Sequence, residues 1–96
     1  MDDEALIRRH IEPNPHRSSL AEAWLKDSAI PVWALVGSLP AVDYDLDALA
    51  DDYGLPREAV DAAMAYYRRH KAVLDARVAA NTATPSWPFV AVGVPV

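Results

Sequence analysis

Along the first thirty residues the apolar positions do not settle on a single period. Between Leu6 and Glu12, Ile7 and Ile11 share either a strand face or a helix face, and Glu12-Pro13-Asn14-Pro15-His16 has the composition of a turn. Ala21 to Lys26 then alternates, with Glu22, Trp24 and Lys26 on one face and Ala21, Ala23 and Leu25 on the other. The pattern predicts two short strands, a small β-hairpin within residues 1–29, and leaves a short helix over 3–11 as the alternative for the first.

From Pro31 onward the period becomes helical. Pro31 suits a helix's first turn, where its missing N–H costs nothing, Val32 to Leu39 is mostly apolar, and Pro40 stops it. Asp45 is an N-cap residue for a second helix whose Leu46, Leu49, Ala50 and Tyr53 make one stripe, and Gly54 supplies the left-handed residue that ends it. Pro56 opens a third helix with inward positions Val60, Met64, Tyr67, Lys71, Leu74 and Val78. No breaker follows before Asn81, so the third helix is expected to run about 25 residues, or about 37 Å. A three-helix domain needs about half of that to cover its core. The second half is therefore expected to project, leaving Val73, Leu74 and Val78 exposed.

The expected architecture is mainly α: an N-terminal hairpin (1–29), a three-helix core with a long projecting third helix (30–80), and a C-terminal tail (81–96). Asn81 to Val96 carries no charged side chain, and within it Val90, Val92, Val94 and Val96 alternate with Ala91, Gly93 and Pro95. The tail is too apolar for a solubility tail and reads as a segment that adds to another surface.

Leu46 to Tyr67, LDALADDYGLPREAVDAAMAYY, carries the spacing of a helix-turn-helix: small Ala50 where two helices approach, Gly54 at the turn, and Leu55 and Val60 filling the core. An ordinary helical hairpin uses the same residues. The wider stretch from about Ala21 to Ala80 holds Ile30-Pro31-Val32-Trp33-Ala34-Leu35-Val36, then Ala50-Asp51-Asp52-Tyr53-Gly54-Leu55-Pro56-Arg57-Glu58-Ala59-Val60, then Ala62-Ala63-Met64-Ala65-Tyr66-Tyr67. In these residues it resembles the family called domain of unknown function 433. The resemblance implies a short prokaryotic antitoxin with a homeodomain-like helix-turn-helix, of the kind encoded beside a PIN-like ribonuclease toxin. The chain departs from that pattern at Asp27-Ser28-Ala29, where many members carry Gly-Thr-Arg, and the tail after Asn81 lies outside the resemblance.

Charge qualifies this reading. The net charge of −5 argues against broad nucleic-acid binding. Its distribution is uneven: Asp43 to Asp61 holds seven acids and one base, Arg57, whereas Met64 to Ala80 holds Arg68, Arg69, Lys71 and Arg77 against Asp75 alone. The positions facing a DNA major groove at the start of the third helix would be Pro56, Arg57, Glu58 and Asp61, of which only Arg57 suits guanine or phosphate. If DNA is bound, Arg57, Arg68, Arg69 and Lys71 are the expected contacts. The basic run on the projecting half also suits an acidic protein pocket.

Other chemistry is not expected. Counted from Asp43, the glycine and glutamate of a calcium loop are replaced by Ala48 and Gly54. His10, His16 and His70 lack metal-ligand spacing, there is no cysteine, and neither a nucleophile elbow nor a phosphate-cradling loop occurs. No cofactor and no enzymatic activity are expected. The acidic start, without a signal-peptide pattern, predicts a cytoplasmic protein with no membrane partner. Trp24 and Trp33 are expected in the core.

The leading expectation is an antitoxin-like protein that binds a PIN-like nuclease through Val73, Leu74, Arg77, Val78, Trp87 and Phe89. The same residues would serve self-association into a dimer or larger assembly. A stand-alone DNA-binding regulator and a structural oligomerisation module are the alternatives.

Overall fold

The computed structural model describes residues 2–83, so Trp87 and Phe89 lie outside the described residues. Five α-helices and one small antiparallel sheet make up this part: α1 (Asp3–His10), β1 (Ile11–Glu12), β2 (Trp24–Leu25), α2 (Val32–Ser38), α3 (Leu46–Tyr53), α4 (Arg57–Arg69) and α5 (Lys71–Ala83). Short 3-10 turns at Leu20–Glu22 and Leu39–Val42 precede β2 and follow α2.

The first expected strand is largely the helix held as its alternative, while the antiparallel pairing within residues 1–29 is kept in two short strands. The Asp2 carboxylate accepts the Ala5 N–H at 2.8 Å, Asp3 and Glu4 occupy the first turn, and Arg8, Arg9 and His10 the last. That distribution opposes the helix dipole at both ends, and an i,i+4 Glu4–Arg8 pair at 2.8 Å adds to it. Only the last two residues of the segment are strand, with Ile11 opposite Leu25 and Glu12 opposite Trp24.

The middle of the chain follows its local signals. The Asp45 carboxylate accepts the Asp47 and Ala48 amides at 3.0 and 3.2 Å. Gly54 closes α3 at φ 65°, and Leu55 N–H reaches the Ala50 carbonyl at 2.9 Å. Asp45→Ala should cost about 1 kcal/mol, a fall of roughly 4–8 °C in a thermal melt. Pro56 caps α4 rather than starting it.

The long third helix does not exist as one rod. At His70 the backbone leaves helical geometry (φ −128°, ψ 39°), its N–H bonding to the Tyr66 and Tyr67 carbonyls at 3.1 and 3.2 Å. Beyond that bend α5 packs back on α2 instead of projecting. Leu74 becomes fully buried, and Val78 packs on the core, with its methyls 3.6 and 3.9 Å from where a Cβ on Gly37 would stand. Of the residues expected to be exposed beyond the core, only Val73 is, at 40 %. Burying a leucine is worth about 1.5–3 kcal/mol, enough to offset one interrupted turn. α5 also runs past Asn81 to Ala83, beyond the expected start of the tail.

The core is made by Val32, Leu35, Leu49, Val60 and Leu74, all fully buried, with Ala62, Ala63 and Ala65 equally inaccessible along α4. Trp24 and Trp33 are only partly buried; Trp33 packs against the core from its edge, whereas Trp24 lies outside the core cluster. No helix among the described residues is long and apolar enough to cross a membrane.

Candidate functional site

The expected phosphate contacts are present on the surface, but most of them already hold carboxylates. Arg57 bonds Asp47 through Nη1 at 2.6 Å and Asp61 through Nε at 2.9 Å, and these bonds, Asp47's first, raise its pKa. Arg68 Nη2 meets both oxygens of Asp3 at 3.0 Å. Lys71 Nζ lies 2.6 Å from Asp75 Oδ2 and 5.6 Å from the Tyr67 ring centre. Its pKa is raised by the Asp75 bond, while that of Asp75 is lowered by Lys71 and then by the Tyr67 hydroxyl, which donates to Oδ1 at 2.6 Å. Arg69 alone of the four makes no ion pair among the described residues. Arg57 stands about 17 Å along α4 from Arg68, so the four do not form one patch.

Arg77, expected at a partner surface, is instead part of the intramolecular fabric. Its Nε donates to Glu22 Oε2 at 2.7 Å, with the two side chains 27 % and 13 % exposed, and its guanidinium lies 4.1 Å from the Trp33 ring centre. Leu74 and Val78 are likewise used within the chain. The apolar stripe that suggested a dimer is therefore largely consumed by α2.

Of the four positions expected to face a DNA groove, α1 engages only Glu58, while Arg57 and Asp61 stay 45 % and 40 % exposed. Glu58 Oε2 is 2.6 Å from His10 Nε2 and 3.5 Å from Arg9 Nε, while Arg68 at the far end of α4 binds Asp3. These pairs place α1 antiparallel along the strip Glu58, Ala62, Ala65, Arg68. Leu6 and Ile7 pack on the core from this side.

The Glu58 pair has a pH signature. The His10 hydrogen bond holds the Glu58 carboxyl below its ordinary value of 4.5, so it stabilises the fold above that pH and less as pH falls through the lowered folded-state value. Glu58→Gln should therefore destabilise at neutral pH, and the gap from the unaltered chain should close in acid; urea melts at several pH values check this.

One feature went unread in the sequence: a groove between α2 and α5. One hollow, of about 270 Å³, is lined by Trp33, Ala34, Gly37, Ser38, Tyr53, Val78 and Asn81. A neighbouring hollow of about 310 Å³ shares Gly37 and Val78 and adds Val36, Leu39, Pro40, Tyr44, Tyr67 and Asp75. Ser38 Oγ donates to the Ala34 carbonyl at 2.9 Å and lies 2.8 Å from the Tyr53 hydroxyl, which fixes one wall. Tyr44 stands 66 % exposed at the other end, on the consecutive left-handed residues Asp43 and Tyr44 (φ 54° and 61°). Non-glycine residues there are strained, and such strain clusters at functional surfaces. Among the described residues no cluster of His, Cys, Asp or Glu is arranged to hold a metal ion.

No protein-family model, no curated protein and no solved structure matches the chain, so the likeness to domain of unknown function 433 rests on the residues quoted for it.

Proposed function

We propose that the chain is a protein-binding module of the antitoxin type, whose partner is a PIN-like ribonuclease and whose main contact is the uncharged C-terminal segment with Trp87 and Phe89. The observation that carries this is the internal neutralisation of the basic side chains: Arg57, Arg68, Lys71 and Arg77 all sit on the chain's own carboxylates. Freeing them for phosphates would break those pairs, so nucleic acid is the less favoured ligand for the isolated chain. The segment after Asn81 has the opposite character. It carries two large aromatics and no charge to desolvate, the composition of an interface anchor.

Exposed Val73 and Arg69 extend the surface available to such a partner along α5 and the end of α4. Self-association and regulation through DNA are secondary to this reading. The first loses the stripe of Leu74 and Val78, and the second has to contend with α1 lying on α4.

The test is neutralisation of the PIN-like nuclease encoded beside this chain's gene, measured as RNA cleavage against added chain. Full-length protein should suppress cleavage stoichiometrically, and a full-length Trp87→Ala, Phe89→Ala variant should not while keeping its helical circular dichroism. Equal suppression by that variant, or a gene neighbourhood without such a nuclease, overturns the reading.

A further inference from the structure

We infer that the α2–α5 groove is a docking site for the chain's own residues 84–96, so that the segment proposed to engage a partner rests against its own domain when no partner is bound. The first ground is where the described chain ends. Asn81 lines one hollow, and the described part of α5 runs only to Ala83, two residues further on. From Asn81 back to Asp75, which lines the second hollow, is about 9 Å along α5. Thirteen residues extended at about 3.1 Å each reach about 40 Å, enough to reverse direction and follow both hollows.

The second ground is chemical fit. Trp33 and Tyr53 line one hollow, Tyr44 and Tyr67 the other, so three of the chain's four tyrosines and one of its three tryptophans gather here. Grooves walled by aromatics take extended proline-containing segments, whose backbone conformation loses little entropy on binding. Residues 85–88 read Pro-Ser-Trp-Pro. With three residues per turn of an extended polyproline helix, Pro85 and Pro88 fall on one edge. The only ionisable carboxylate lining either hollow, Asp75, is already held by Lys71 and Tyr67, so an uncharged segment buries no bare charge there.

Covalent attachment gives the segment a millimolar effective concentration at the groove, so modest contacts suffice. A partner that takes the same residues must first lift them out. The inference stands whatever the partner is, because it concerns the free chain.

The absence of cysteine makes the test clean. Ser86→Cys in the full-length chain, carrying a nitroxide, should strip most of the NMR intensity from the amides of Gly37, Tyr44 and Asp75 and leave those of Arg8 and Arg9, on α1 behind α4, the least affected. Gly37→Gln in the labelled chain sets a side chain where a Cβ meets only Val78 at ordinary contact distance, and should restore the intensity. If that variant fails to fold by circular dichroism, Trp87→Ala with Phe89→Ala, which leaves residues 2–83 untouched, should restore it instead. A mixture of isotope-labelled unspun chain and spin-labelled unlabelled chain separates the source. Broadening there means that a second copy fills the groove, which overturns the inference, as do uniform broadening and none at all.

Discussion

Leu74→Ala is expected to remove roughly 2–5 kcal/mol of stability, the cost of a cavity in a leucine-lined core. Leu74 has no exposed surface and sits on α5 where the helix returns to α2. A domain of this size holds only about 5–15 kcal/mol in total, so the variant should melt far below the unaltered chain. The exposed neighbour Val73 supplies the control, since Val73→Ala should stay within about 0.5 kcal/mol. Urea unfolding of both variants is the measurement. Had α5 continued α4 as a projecting rod, the two substitutions would be equally mild and Leu74→Ala would act on assembly instead. Equal midpoints would therefore overturn the bend at His70.

Ala65→Leu should also be costly, by roughly 1–3 kcal/mol, through overpacking. Ala65 is wholly inaccessible on the strip of α4 between Glu58 and Arg68, the two residues that hold the ends of α1. A leucine there pushes α1 outward and strains both ion pairs. Ala76→Leu, on the exposed side of α5, should be close to neutral. A denaturant series on the two variants decides the matter. If Ala65→Leu proves silent, α4 presents this strip to solvent and α1 does not pack on it.

The parts legible in the sequence are those whose causes are local. Asp45 and Gly54 bracket α3 because a carboxylate satisfies its own neighbouring amides and a glycine accepts a left-handed backbone. α1 carried equally local evidence in its capping Asp2, early acids and late bases, but with only Leu6 and Ile7 as larger apolar residues its hydrophobic period was too short to separate helix from strand. His70 is different in kind. Neither glycine nor proline stands there, so nothing within a few residues specifies a bend; the fit of Leu74 and Val78 against α2, more than thirty positions earlier, does. The ion pairs of the basic side chains were hidden for the same reason. Arg57, Arg68 and Arg77 are readable as basic, but Asp47, Asp3 and Glu22, which neutralise them, lie 10, 65 and 55 positions away.

The pairing of α1 with α4 has a consequence for the order in which the molecule comes into being. α1 has no fully buried residue, and its anchors join positions 48 and 65 apart. Among the described helices it is made first, yet its ion-pair partners on α4 come late in the chain. At about 5–20 residues per second, Arg68 is made several seconds after Asp3, and until then the strip of α4 that α1 covers is incomplete. α3 and α4, by contrast, meet each other moments after they are made. The helix synthesised first is thus the one most exposed to chaperones during synthesis and, by the same few contacts, the first to detach when the finished domain opens.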